Sequence, residues 1–553
     1  MNTPSALLRS LGGHTPAVAA RLERWHEEGA VARLWAKDHA LWIPEPAPEI
    51  DNRLGWLSLP DAMRPQVPVL EAFAAEVADA GITHVVLLGM GGSSLAPEVF
   101  ARTFGSRPGY PTLLVLDSTH PDAVRAVDEQ ADPTTTLFVV SSKSGTTIEP
   151  NSFFHHCWER VVAAASRPGK HFVAITDPGT SLAALGEERD FRRVFLAPPD
   201  VGGRFSALSH FGLIPAALIG VDLTRLLDHA AATADACRRH PGGNPGLLLG
   251  AVLGELAAAG RDKATYLVSP ALAALPAWIE QLVAESTGKQ GAGILPVAGE
   301  PVAGPEAYGD DRLLVYLALA GDRDDAQVAA LGALEAAGHP VVRLHLNHRT
   351  ELGAEMYRQE VAVAMAGSVL GIHPFNQPDV QLAKELAARA MAGEAAGEPI
   401  PAVPAADSPR LGAALHGFLA SARPGDYLAV QAFLAPTPQA EGALQGLRRA
   451  VRDDRRLATT LGFGPQFLHS TGQLHKGGPN TGLFLQVVDD AAPDLPVPGT
   501  AYSFGRLIRA QADGDYRALA AKGRRVLRVD LNDDPVGGLA ALEEAAGEEA
   551  LIS

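Results

Sequence analysis

The sequence predicts an α/β fold of two doubly wound parallel-sheet domains with a smaller C-terminal α/β unit. Three observations carry that prediction. Short apolar runs alternate with helical patterns along most of the chain, the order expected of strands and crossover helices. The runs are apolar on both faces, as strands covered on both sides must be. Two of them break directly into glycine- and hydroxyl-rich loops that lead into helices, the usual ligand end of such sheets. A length of 553 residues suits about two to four domains.

The elements follow in order. The first part of the chain is helical in pattern, in "HTPAVAARLERWHEEGAVARLWA" and "PVLEAFAAEVADAG". Strands are then expected at "THVVLLG", "PTLLVLDS", "TTTLFVVSS", "KHFVAITD" and "RRVFLAP", followed by a Leu- and Ala-rich helical stretch over 212–260. A second alternating set, "ATYLVSP", "RLLVYLALA" and "PVVRLHL", could be a copy of the first. Residues 392–409 turn to Gly, Pro and Ala and predict an exposed linker. Beyond it "YLAVQAFL", "TGLFLQVV" and "RVLRVDL" predict the third unit. The expected boundaries are 1–250 for the N-terminal helices and first domain, 251–400 for the second, and 401–553 for the last.

Composition narrows the function. With 47% hydrophobic and 20% charged residues the chain can bury a large core, and a formal charge of −17 argues against a nucleic-acid partner. Two cysteines form neither a disulfide framework nor a zinc site, and no metal or cofactor is expected. The N-terminus lacks a long apolar segment and no run approaches membrane-spanning length, so the expectation is a cytoplasmic protein without a membrane partner.

The two loops define the chemistry. In "VVLLGMGGSSLAPEVF", Gly89, Gly91 and Gly92 let the backbone turn and expose N–H groups beneath a helix N-terminus, an arrangement that suits an anion. In "TTTLFVVSSKSGTTIEP", Ser141, Ser142, Ser144, Thr146 and Thr147 surround Gly145, with Lys143 among them. Backbone N–H groups and hydroxyls together satisfy phosphate oxygens without a metal. On neighbouring strands, the two loops would meet at one crevice. A dinucleotide fingerprint fails because Ser94 takes its last glycine position, and a P-loop fails because Gln290 follows Lys289. Asp117 then reads as a strand-end or capping acid rather than a ribose ligand.

Together, "GMGGSSLAPE", "SSKSGTTIEP", "VGGRFSALS", "IEQLVAESTGKQGAGILPV" and "GIHPFNQPDVQLAK" resemble glucose-6-phosphate isomerase, a family with two sugar-isomerase (SIS) domains. The likeness covers roughly 80–390, and the motifs keep the family order. The last third, with "GFGPQFLHSTGQLHKGGPNTGLFLQV", is similar to the isomerase half of bifunctional transaldolase/glucose-6-phosphate isomerase proteins. Isomerase activity alone is the expectation, in glycolysis and gluconeogenesis, on a small sugar phosphate, with a homodimer as the assembly.

The resemblance assigns roles. Glu285 corresponds to the base that shuttles a proton between C1 and C2, and Arg204 to the arginine that stabilises the enediolate. Gly92 and Ser93, with Ser142, Lys143, Ser144, Thr146 and Thr147, would bind the phosphate. Gln377 and Lys384 match a substrate-binding glutamine and a lysine used in ring opening, and Glu149 matches the glutamate that orients a ring-opening histidine. That histidine is where the match breaks. His339, His345, His348 and His373 lie between Glu285 and Lys384, none in the family's context. The expectation falls instead on His475 in a C-terminal glycine-rich loop, with His469 close by, acting in cis or across a dimer interface. The alternatives are a SIS-type module that binds sugar phosphate without converting it, and an isomerase relaxed toward mannose 6-phosphate. A sensor would not need Glu285, Arg204 and Lys384 together.

Overall fold

The computed structural model describes residues 7–391 and 398–547. A short strand, β1 (Leu7–Ser10), opens the described chain. Helices Thr15–Glu27 and Val67–Asp79 follow, and their helical-period apolar residues, Val18 and Trp25 in one and Leu70, Phe73 and Val77 in the other, are buried.

The first sheet contains β2 (His84–Gly89), β3 (Thr112–Leu116), β4 (Thr136–Ser141), β5 (Phe172–Thr176) and β6 (Arg193–Leu196). Its order is β3-β2-β4-β5-β6 and every pairing is parallel. All of these strands match the apolar runs. β4 and β5 are buried at each position, which is why neither shows polar alternation. The 212–260 stretch forms three helices, His210–Leu218, Leu223–Cys237 and Pro245–Ala258.

The second sheet contains β7 (Lys263–Val268), β8 (Leu295–Val297), β9 (Arg312–Leu319) and β10 (Val341–Leu346), in the order β1-β10-β9-β7-β8. It is mixed rather than wholly parallel, because β1 pairs antiparallel with β10, Leu8 opposite Arg343. The sequence grouped these first residues with the first sheet, but they cover the edge of the second.

The third sheet contains β11 (Val403–Pro404), β12 (Tyr427–Phe433), β13 (Ala458–Phe463), β14 (Gly482–Val488) and β15 (Arg525–Asp530), all parallel, in the order β11-β15-β14-β12-β13. Of the expected linker, 392–397 lie outside the described residues. The rest is not simply exposed chain: β11 pairs with β15, and the helix Ser408–Ala420 begins before the linker was expected to end. A proline is tolerated in β11 because it lies at the sheet edge.

The three sheets share one winding. β2, β7 and β12 each have the next strand on one side and the following strand on the other. A ligand crevice opens at the carboxyl ends of strands at such a reversal. At the end of β14 in the third sheet, Asp489 is met from outside the unit: His120, from the loop after β3, sets Nε2 3.2 Å from it.

One apolar core runs through the first two sheets and their helices, including Trp56, Leu213, Ile279 and Tyr357. The third unit has its own, around Leu428, Leu447, Leu485 and Leu542. Buried polar ties join it to the rest. Glu300 Oε2 accepts from Arg312 Nη1 at 2.9 Å, and Glu300 Oε1 accepts from the Thr459 backbone N–H at 3.0 Å. Gln466 Nε2 donates to Asp117 Oδ2 at 2.5 Å, so Asp117 serves a unit-to-unit contact. Among the described residues no helix is long and apolar enough to cross a membrane.

Candidate active site

β2 and β4 are adjacent, so the two glycine- and hydroxyl-rich loops meet at the carboxyl edge of the first sheet, as their sequences predict. They form one wall of a cavity of ≈ 570 Å³. Gly91, Gly92, Ser93, Ser142, Lys143, Ser144 and Thr147 line it. In the second loop, Ser142 Oγ accepts from the Gly145 N–H at 3.2 Å and donates to Thr147 Oγ1 at 3.2 Å, which holds the loop open toward the cavity. Gly91 has φ +55°, and a Cβ there would come within 2.7 Å of the His469 carbonyl and 2.8 Å of Gln281 Nε2. Only glycine fits where these three segments converge.

The opposite wall carries the charged groups. Glu285 lies in the helix Leu275–Thr287 and Arg204 in the tight turn Gly203–Phe205. Arg204 Nη1 is 3.4 Å from Glu285 Oε1. Its other donors are taken: Nε donates to Ser286 Oγ at 2.8 Å, Nη1 to Gln377 Oε1 at 3.0 Å, and Nη2 to the Pro374 and Asn376 carbonyls at 2.6 and 3.0 Å. With 3% of its surface exposed, this guanidinium cannot swing. Burial pulls its pKa below the usual value and Glu285 pulls the other way. Below it Lys289 donates to the His373 carbonyl at 2.7 Å, and burial with the nearby Arg204 charge holds its ammonium well below the usual lysine range.

Gln377 and Lys384 line the same cavity, with Lys384 exposed at its mouth. Lys143 lines it too, but its ammonium lies 2.5 Å from Asp177, so a carboxylate offsets much of its charge. Thr146 and Glu149 face an adjoining pocket of ≈ 380 Å³ that shares Ser144, Thr147, Lys384 and His469 with the main cavity.

The histidine requires a correction. His475 does not line the cavity: it lies on the buried face of the helix Gly472–Gly477, packed between Phe467 and Phe484, and is 3% exposed. Burial, with Lys476 and Arg524 nearby, holds its pKa well below the usual value, and Nε2 has no hydrogen-bond partner. His469, six residues earlier in the chain, lines the cavity and places Nε2 3.0 Å from Glu149 Oε1. Burial would raise the Glu149 pKa, but His469 beside it holds it below the usual range. His373, another candidate, is committed at both nitrogens, to the Pro48 carbonyl at 2.9 Å and the Phe375 N–H at 3.1 Å.

Gln281 was not singled out from the sequence. It lies four residues before Glu285, on the same helix face, and its Nε2 donates both to Glu285 Oε2 at 3.2 Å and to the His469 carbonyl at 2.7 Å. Among the described residues, no group of three or more His, Cys, Asp or Glu is placed to hold a metal ion.

Comparison with known proteins agrees with this geometry. The phosphoglucose isomerase family model matches residues 72–296. A glucose-6-phosphate isomerase from Rubrobacter xylanophilus is 30% identical over 386 residues, covering 61% of this chain and 89% of that relative. The chain belongs to the glucose-6-phosphate isomerase family. A second glucose-6-phosphate isomerase, from a Cyanothece species, is 30% identical over 374 residues, covering 58% of this chain and 70% of the relative. A crystal structure of a glucose-6-phosphate isomerase from Chlamydia trachomatis superposes with a TM-score of 0.60 at 21% identity, over 70% of this chain and 87% of that one, which shows the shared fold. In this family member, Gly91, Arg204, Gln281 and Glu285 fall inside the matched residues 72–296, while Lys384 and His469 lie beyond them.

Proposed function

We propose that the chain interconverts glucose 6-phosphate and fructose 6-phosphate through an enediolate, as a cytoplasmic enzyme. The observation that carries this reading is a single cavity in which Glu285 lies 3.4 Å from a fixed guanidinium and which His469 also lines, paired with Glu149 of the adjoining pocket. The two loops from β2 and β4 would bind the phosphate through N–H groups and hydroxyls. His469, oriented by Glu149, would open the ring by taking the anomeric hydroxyl proton and returning it to the ring oxygen, with Lys384 at the mouth assisting. Glu285 would then move a proton between C2 and C1, and Arg204 would stabilise the negative charge on the enediolate. Because Gln377 Oε1 accepts from Arg204, its amide N–H groups remain for the sugar hydroxyls.

The histidine and both carboxylates come from one chain. A homodimer remains the proposed assembly, read by light scattering. A coupled assay in both directions tests the activity: turnover of fructose 6-phosphate to glucose 6-phosphate is expected, and binding of both without conversion would instead make the chain a sugar-phosphate binding module.

A further inference from the structure

Three buried side chains and the half-buried His469, from four elements, meet beside the cavity. Thr119, from the loop after β3, donates through Oγ1 to Gln511 Oε1 at 2.9 Å. Gln511, on the helix Phe504–Ala521 of the third unit, donates through Nε2 to Glu149 Oε1 at 2.7 Å. The same Oε1 is 3.0 Å from His469 Nε2. Thr119, Glu149 and Gln511 are 0%, 3% and 5% exposed. We propose that Gln511 is a positioning residue that locks His469 as its Nε2–H tautomer, so that Nδ1 is the atom exchanging protons with the sugar.

The argument is one of donors and acceptors. An ionised carboxylate only accepts, so both groups that meet Glu149 Oε1 must donate. Gln511 therefore turns its NH₂ toward Glu149 and its carbonyl toward Thr119, whose hydroxyl can donate to it. A reversed amide would set oxygen against oxygen at Glu149. The same constraint makes His469 Nε2 a donor, which leaves the lone pair of the neutral ring on Nδ1. In ring opening, Nδ1 takes the proton of the anomeric hydroxyl as the C1–O5 bond breaks and the C1 carbonyl forms. It then delivers that proton to O5, and Nε2–H stays on Glu149 throughout. The helix that carries Gln511 also places it where Glu149 cannot turn away from the histidine.

The proposal rests on His469 being the ring-opening group, and the experiment separates the two. Histidine is labelled with ¹⁵N in the full-length protein, and the His469 resonances are assigned by their loss in His469→Asn. The expected signature is the Nε2–H tautomer in the wild type and a mixture in Gln511→Leu. Thr119→Val keeps the shape of its site but frees the Gln511 amide to turn. It should cut kcat for cyclic glucose 6-phosphate about tenfold with little change in KM. C1 proton exchange on 5-deoxyfructose 6-phosphate, which cannot close a ring, should stay within about twofold, and Thr119→Ser should restore wild-type behaviour. An Nδ1–H tautomer, or equal loss on cyclic and open-chain compounds, overturns the role of Gln511 while leaving the isomerase reading intact. Full activity of His469→Ala on the cyclic sugar overturns both the role of Gln511 and that of His469 in ring opening.

Discussion

Glu285 has two polar neighbours that shape what it can do: Arg204 beside one oxygen and the Gln281 amide beside the other. Both hold the side chain in one orientation, which is what a base serving two adjacent carbons needs. Glu285→Gln keeps the shape and removes the basicity, so kcat should fall on the order of 10²-fold or more with KM little altered; steady-state kinetics in both directions measure it, and unchanged turnover would exclude Glu285 as the base. The two histidines separate in kind. His469→Ala should cripple turnover of cyclic sugar phosphate and spare open-chain exchange. His475→Ala should instead open a hole between Phe467 and Phe484 and cost about 2–4 kcal/mol of stability, seen as a lower Tm with kcat per folded molecule retained. Sequence reading could not tell them apart, because both lie in one stretch of glycines and polar residues. Which one reaches the cavity depends on the short turn Gln466–His469 and the buried helix Gly472–Gly477 that follows it. Gln281 did leave a signal, one helical turn before the motif glutamate.

The element that organises the site is the glycine turn after β2. At Gly91 the positive φ and the nearby His469 carbonyl and Gln281 amide leave no room for a side chain. Gly91→Ala is therefore expected to push the His469 loop away from the cavity. Activity should drop at least about tenfold through the loss of near-attack geometry, while far-UV circular dichroism stays that of the wild type. Retained activity would mean the loop tolerates the shift. At this scale the first sheet was the most legible part of the chain, since its five short apolar runs are each set off by loops or helical patterns. The misses have physical causes. β8 has three residues, too few for any periodicity. β13 ends half-exposed, so its pattern is mixed. β1 and β11 are short edge strands that exist only because a neighbouring strand offers free N–H and C=O groups.

Across the whole molecule, three copies of one winding have separate tasks. The first sheet supplies the two glycine- and hydroxyl-rich loops, the helix after β7 supplies Glu285, and the third unit supplies His469 and Gln511 from its own loop and helix. At the end of β14 the third unit meets His120 from the first, a contact that no reading of the third unit's sequence alone would show. The contact between Asp117 and Gln466 makes that docking sensitive to pH. Burial, with Glu98 nearby, pushes the Asp117 pKa up from 3.8 to about 7. A carboxyl with a higher pKa folded than unfolded binds protons more tightly in the folded state. Its contribution is thus fullest below about pH 4 and is lost as pH rises through about 7. Asp117→Asn should flatten that stretch of the stability curve relative to the wild type, read as Tm against pH. Parallel curves for the two proteins would show that Asp117 does not titrate there.

The route from Glu149 to His469 has a consequence in time as well as space. The pair is 320 residues apart in the chain. At synthesis rates of about 5–20 residues per second, tens of seconds pass between the emergence of one partner and the other. A nascent chain thus displays the loops after β2 and β4 and Glu285 well before it holds His469. On the proposed roles, the later unit to leave the ribosome is the one that would turn a binder into a catalyst.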